Sequence, residues 1–148
     1  MIDRFEKFSL AVFSISKYWH KIASEEMKKH GLKGPYALYL VTMANYKGDV
    51  TAANLTELCS KDKADVSRAV SAMEKKGFII RKGENAYRAK LILTKAGKSL
   101  AKQITDRAAL AVEMAGKGLS EEVRASFYSA LDTITGNLKE ISQEGLPG

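Results

Sequence analysis

A chain of 148 residues, 45% hydrophobic and 28% charged, is the size of one ordinary domain and can bury a core, which excludes a disordered polymer. It holds no apolar run of 18 residues, which excludes a membrane-spanning helix. The net charge is +7, and its single cysteine, Cys59, excludes an intrachain disulfide framework.

With only two histidines, His20 and His30, a zinc cluster is not expected, nor is any other metal or cofactor. The start, Met1-Ile2-Asp3-Arg4-Phe5-Glu6-Lys7, mixes charge with apolar residues. That differs from the basic-then-apolar layout of a signal peptide, so a cytoplasmic protein is expected.

Residues 2–29 read as a long amphipathic helix. Phe5, Phe8, Val12, Ile15, Trp19 and Ile22 recur at three- and four-residue steps, as one buried face requires. Gly31-Leu32-Lys33-Gly34 ends it, and Pro35 suits the first turn of the next helix. That helix, 35–47, is apolar on most sides and reads as a core helix. Lys47-Gly48-Asp49 is a turn, and Val50 a short extended stub. Thr51 can cap a short helix carrying Leu55 and Leu58. Asp62 can cap a fourth, with Val66, Val70 and Met73 as its buried stripe and Gly77 as its stop.

The period then changes. Residues 78–82 and 87–93 are β-prone and flank Gly83-Glu84-Asn85-Ala86, which reads as a hairpin with a polar tip. Thr94 can cap a helix over 94–116, and Gly116-Lys117-Gly118 breaks it. Ser120 can cap a last helix carrying Val123, Phe127, Leu131, Ile134, Leu138 and Ile141. The tail 145–148 should fray.

Charge is concentrated where the period changes. Between Lys61 and Lys102 stand twelve basic residues and four acids, so this window carries +8 and the rest of the chain −1. A block this localised suits a polyanion, although charge alone equally fits a solvated basic face.

Two short helices joined by a tight turn, then a basic hairpin, describe a winged helix-turn-helix. Its second helix can enter a major groove N-terminus first. The outward face would present Lys61, Lys63, Ala64, Ser67 and Arg68. Arginine can make bidentate contacts to guanine, and serine and lysine can reach bases or phosphates. Asp65 can cap the helix, accept from cytosine or orient Arg68, with capping or orienting preferred. The hairpin, with Lys82, Asn85 and Arg88 near its tip, can reach an adjacent minor groove or the backbone.

The stretch from Asp65 to Arg81 resembles the recognition helix and first wing strand of the MarR (multiple antibiotic resistance regulator) family. The shared features are the Ser67-Arg68 pair, Met73-Glu74-Lys75-Lys76-Gly77 and Ile79-Ile80-Arg81. Leu93-Thr94-Lys95-Ala96-Gly97 is similar to the family's Leu-Thr-x-x-Gly. The resemblance covers nearly the whole chain in order and spacing. It implies a mostly α, winged helix-turn-helix fold in one domain: a DNA-binding lobe over 35–97, and a helical dimerisation region from 1–34 and 98–148. It departs from the family at the wing. Where Asp-x-Arg is usual, Asn85 and Tyr87 stand, with Arg88 one place late.

The resemblance also implies a homodimer reading a pseudo-palindromic duplex. The apolar stripe of the last helix, and Phe5, Phe8 and Phe13 of the first, support a dimer independently. It further implies a small-molecule effector, aromatic or phenolic, in a pocket to which Trp19, His20, Tyr36 and Tyr39 could contribute; core packing is the alternative for each. Cys59 reads as a small buried residue or as a redox-sensing thiol.

Nothing suggests an enzyme. Gly31-Leu32-Lys33-Gly34 is too short for a phosphate loop, and two histidines with one cysteine give no nucleophile–base–orienter set. The expected function is a transcriptional repressor released by a ligand. The alternative is a winged-helix interaction module or ligand sensor without specific DNA readout.

Overall fold

The computed structural model describes residues 3–83, 85 and 87–148. The expected helix start at Ile2, and Glu84 and Ala86 of the hairpin tip, lie outside the described residues. Six helices and a small sheet follow in chain order: α1 (Arg4–Lys28), α2 (Tyr36–Asn45), β1 (Val50–Thr51), α3 (Ala52–Leu58), α4 (Lys63–Lys75), β2 (Ile79–Lys82), β3 (Lys90–Leu93), α5 (Lys95–Ala115) and α6 (Glu121–Glu144). The chain forms two compact units, Met1–Arg107 and Ala108–Gly148. Among the described residues no helix is long and apolar enough to cross a membrane.

The caps at Thr51, Asp62 and Ser120 are where the sequence put them, and Asp3, inside the helix as read from the sequence, is a further one. Asp3 accepts from the Glu6 amide, Asp62 from Asp65, and Ser120 from Val123. Thr51 and Asn54 form a reciprocal capping box at α3. Each satisfies an amide that the first helical turn leaves without a partner. Pro35 stands at the N-cap of α2 rather than inside its first turn.

In the first unit, β3 is the centre strand of an antiparallel sheet of order β1-β3-β2. The stub at Val50 pairs with Leu91. Under the sheet lies one core, in which Met27, Tyr39, Leu40, Leu55, Val66 and Met73 are fully buried. The helical stripe of α4 is closed by Val66, Ala69, Val70 and Met73.

The start of α5 is knotted against β2. The Thr94 amide donates to the Phe78 carbonyl at 3.0 Å. Its hydroxyl donates to the Gly77 carbonyl at 2.6 Å and accepts from the Gly97 amide at 3.0 Å. Gly97 is buried there, because a Cβ on it would lie 1.9 Å from the Phe78 oxygen. Gly77, at φ +82°, supplies the left-handed residue that ends α4.

Arg107 of α5 reaches α1, donating to Glu26 Oε1 from Nη2 at 2.9 Å and from Nε at 3.3 Å. These bonds, then those from Lys29, hold the Glu26 carboxyl below the usual carboxylate range. A depressed carboxylate contributes stability above its unfolded value, near 4.5, and loses it as pH falls through the folded value. Glu26→Gln should therefore melt slightly lower than the wild type at pH 7, and the difference should shrink as pH is taken progressively below 4.5. Thermal melts across that pH range check this.

In the second unit, Arg124 holds the turn between helices. Nη1 donates to Glu113 at 2.6 Å, while Nε and Nη2 donate to the Gly116 carbonyl at 3.2 and 2.7 Å. A guanidinium thus satisfies a carbonyl at the end of α5.

Two apolar stripes lie open, one against the reading of a buried face and one in keeping with the stripe that supported a dimer. The face of α1 read as buried lies open in the single chain, with Phe5 78% and Ile15 62% exposed. On α6 no residue is buried, and Val123, Phe127, Leu131, Ile134, Leu138 and Ile141 are all exposed.

Candidate nucleic-acid interface

Helices α3 and α4 form the helix-turn-helix. The turn, 59–62, needs one left-handed residue, and Ser60 takes it at φ 52°. The Lys61 amide then closes back on the Thr56 carbonyl at 3.1 Å, and Lys61 itself is half-buried. Because Val66, Ala69, Val70 and Met73 point inward, helical periodicity turns Lys63, Ala64, Ser67 and Arg68 outward, and all four are exposed.

Asp65 lies between these faces. Its amide is capped by Asp62 at 2.7 Å, and its own side chain, rather than capping the helix in return, turns to other partners. Its Oδ2 accepts the Tyr39 hydroxyl from α2, and Oδ1 faces Arg68 Nη2 at 3.8 Å. Burial first, and the Asp65 bond second, push the Tyr39 phenol well above its ordinary value. Tyr39 therefore stays a protonated donor at any ordinary pH.

The wing is shorter in strand and longer in loop than the sequence suggested. The second strand starts at Lys90, not Tyr87, and residues 83–89 connect the strands. The reason is a local turn. Asn85 Oδ1 accepts from the Tyr87 amide at 3.0 Å and the Arg88 amide at 3.3 Å. Its main-chain oxygen accepts from Arg88 and Ala89 at 3.1 and 2.7 Å. An asparagine closing on the backbone two residues on competes with strand pairing.

This turn settles the register. Tyr87 swings into the lobe, donating its hydroxyl to Thr56 Oγ1 at 3.2 Å and lying 4.5 Å beneath the Lys63 ammonium. Arg88 is left exposed at the tip. Asn85 has its acceptor committed to the turn, which leaves it a donor. Lys82 is exposed and stands opposite Lys90 in the β2–β3 register. That like-charge pair is relieved by Asp49, 3.0 Å from the Lys90 ammonium.

Two residues that hold the interface together were not among the sequence candidates. Arg81 on β2 donates to Ser71 Oγ at 3.0 Å and faces Glu74 Oε2 at 3.3 Å, fixing the wing to α4. Its signal was the Ile-x-Arg pattern. Tyr87 was hidden by the assumed strand. Between α4 and the wing these residues, with Ser67 and Asn85, line a cleft of about 260 Å³.

The other candidates lie off this face, although Tyr39 reaches Asp65 from behind it. Tyr36 and Tyr39 are buried core residues with ring centroids 6.3 Å apart. Trp19 and His20 lie open on α1, so the single chain does not close the four into one pocket. Cys59 is buried, its Sγ 3.5 Å from Thr42 Oγ1.

No protein-family model and no curated protein matches the chain. Solved structures do. A MarR family regulator from Listeria monocytogenes, determined with a 26mer DNA, is 24% identical; the match covers 100% of this chain and 99% of that one, with a TM-score of 0.79. A MarR regulator from Methanosarcina mazei is 18% identical over 95% of this chain and 94% of its own, at 0.82. MepR from S. aureus, also solved as a DNA complex, is 17% identical over 88% and 97%, at 0.79. The likeness runs over most or all of each chain, and the fold is that of the MarR-type winged helix-turn-helix regulators.

Proposed function

We propose that this chain is a homodimeric, sequence-specific, double-stranded-DNA-binding transcriptional regulator. The observation that carries the reading is the exposed face of α4, with Lys63, Ser67 and Arg68 beside a wing bearing Lys82, Asn85 and Arg88. A helix held from behind by an apolar stripe and presenting cations forward fits a major groove about 12 Å wide. The adjacent tip, with Arg88 open, fits the neighbouring minor groove or backbone. Residues 35–97 would be the DNA-binding lobe.

The open stripes on α1 and α6 support the dimer. Contiguous apolar faces of this length mark an interface, and a second copy supplies the same stripes. Residues 1–34 and 98–148 would form the dimerisation region, and two recognition helices would read half-sites about 34 Å apart. Leu131→Asp should leave each chain folded but monomeric, and should weaken operator binding at least ~100-fold, because the second half-site no longer binds intramolecularly. Sedimentation with duplex titration checks this; a dimeric variant would place the interface elsewhere.

In this reading the protein is a repressor, covering its site until a small aromatic or phenolic ligand changes the separation of the two recognition helices. Trp19 and His20 are available for such a ligand, being open on α1.

Titration with duplex DNA at several salt concentrations, after selecting bound sequences from a random pool, tests the central claim. The expected result is one preferred palindrome and a steep loss of affinity with salt. Absence of binding at low salt would rule it out and leave a protein-docking role for the winged helix.

A further inference from the structure

Within the first two turns of α4 stands an acid, Asp65, that is connected to the core. Its carboxylate has two oxygens with different partners. Oδ2 takes the hydroxyl of Tyr39, a residue with no exposed surface, and Oδ1 faces the guanidinium of Arg68 at 3.8 Å. Arg68 is itself two-thirds open, with a side-chain exposure of 65%. A long, open arginine samples many rotamers, and whatever restricts them before binding lowers the cost of a defined base contact. The restriction here starts at a rigid point. The Tyr39 ring is packed on all sides, so its hydroxyl is fixed, so Oδ2 is fixed, and Oδ1 must point along the helix toward Arg68.

We propose that Tyr39 is a positioning residue for sequence readout, its buried hydroxyl holding the Asp65 carboxylate so that Asp65 presents Arg68 to the duplex. This rests on the DNA-binding reading above. It gives Tyr39 a role other than core filling or lining a ligand pocket. It also gives a reason for a negative charge where phosphate will approach. That charge costs general affinity but orders the one arginine at the centre of the face. The phenol is suited to this, because burial and the Asp65 bond keep it protonated and donating.

The test measures the affinity ratio between the selected palindrome and a random duplex, together with the salt dependence of each. In Tyr39→Phe the ratio should fall roughly tenfold, while affinity and salt slope on random duplex stay at wild-type values. In an Arg68→Ala background, Tyr39→Phe should change the ratio no further, since both act through one group. A ratio within twofold of wild type, or an equal loss in the Arg68→Ala background, would overturn the proposal. If Tyr39→Phe fails to fold by circular dichroism, Asp65→Asn carries the test. Its ratio should fall while random-duplex affinity rises, and an unchanged ratio overturns the proposal. A wild-type protein with no preferred duplex would instead sink the DNA-binding reading, and this inference with it.

Discussion

Gly97→Ala should be the most damaging single-methyl change in the chain. The added carbon would stand 1.9 Å from the Phe78 carbonyl oxygen and 2.9 Å from its carbon, and both are backbone, not a side chain that can swing away. The same carbonyl receives the Thr94 amide, and Thr94 receives the Gly97 amide. Relief would require moving the start of α5 off β2 and breaking that knot. Overpacking of this kind costs about 3 kcal/mol, or roughly 10 °C in melting temperature for a domain of this length. Calorimetry or a circular dichroism melt checks it. A melting temperature within about 2 °C of the wild type, the shift that less than 1 kcal/mol gives at this size, would show that the close approach is not maintained.

Arg68→Ala should give the largest functional effect among single substitutions on the recognition face. Discrimination between the preferred palindrome and random duplex should fall by about 10- to 100-fold, the usual worth of a bidentate base contact. Random-duplex affinity should change much less. Lys95→Ala is the matched control. Lys95 is exposed at the first position of α5, and its loss should weaken both duplexes equally and reduce the salt slope by about one. Lys90 is a poorer control, because its ammonium is already paired with Asp49. Retained discrimination in Arg68→Ala would mean that another face of α4 meets the bases.

Much of the fold was legible because it rests on local rules. Thr51, Asp62, Thr94 and Ser120 announced helix starts through side chains that bond amides three residues on. Gly77 announced a stop through its backbone freedom. The 3.6-residue period of α4 fixed which of its side chains face the core. Of the expected outward set, Lys63, Ala64, Ser67 and Arg68 followed from that period, whereas Lys61 precedes the helix and is half-buried in the turn.

The wing was less legible because two local signals competed. The run 87–93 is β-prone, but Asn85 bonds the next amides itself and delays the strand to Lys90. That is why Tyr87 turns inward and Arg88 outward, a choice no propensity could make. The long helices illustrate a different limit. Their apolar periods were read correctly, and the inference that such a face is buried holds only when its cover is in the same chain.

The sequence by itself determined the order of elements, the caps at Thr51, Asp62, Thr94 and Ser120, the outward face of α4 and the basic window, since each depends on residues a few positions apart. Only the tertiary structure decided what happens between distant residues. It set Gly97 under Phe78, brought Arg81 to Ser71 and Glu74, and joined Tyr39 to Asp65 across 26 positions. Period and capping act within a turn or two of backbone. Which carboxylate meets which hydroxyl depends on how α2 packs against α4, and that is fixed by the whole core at once.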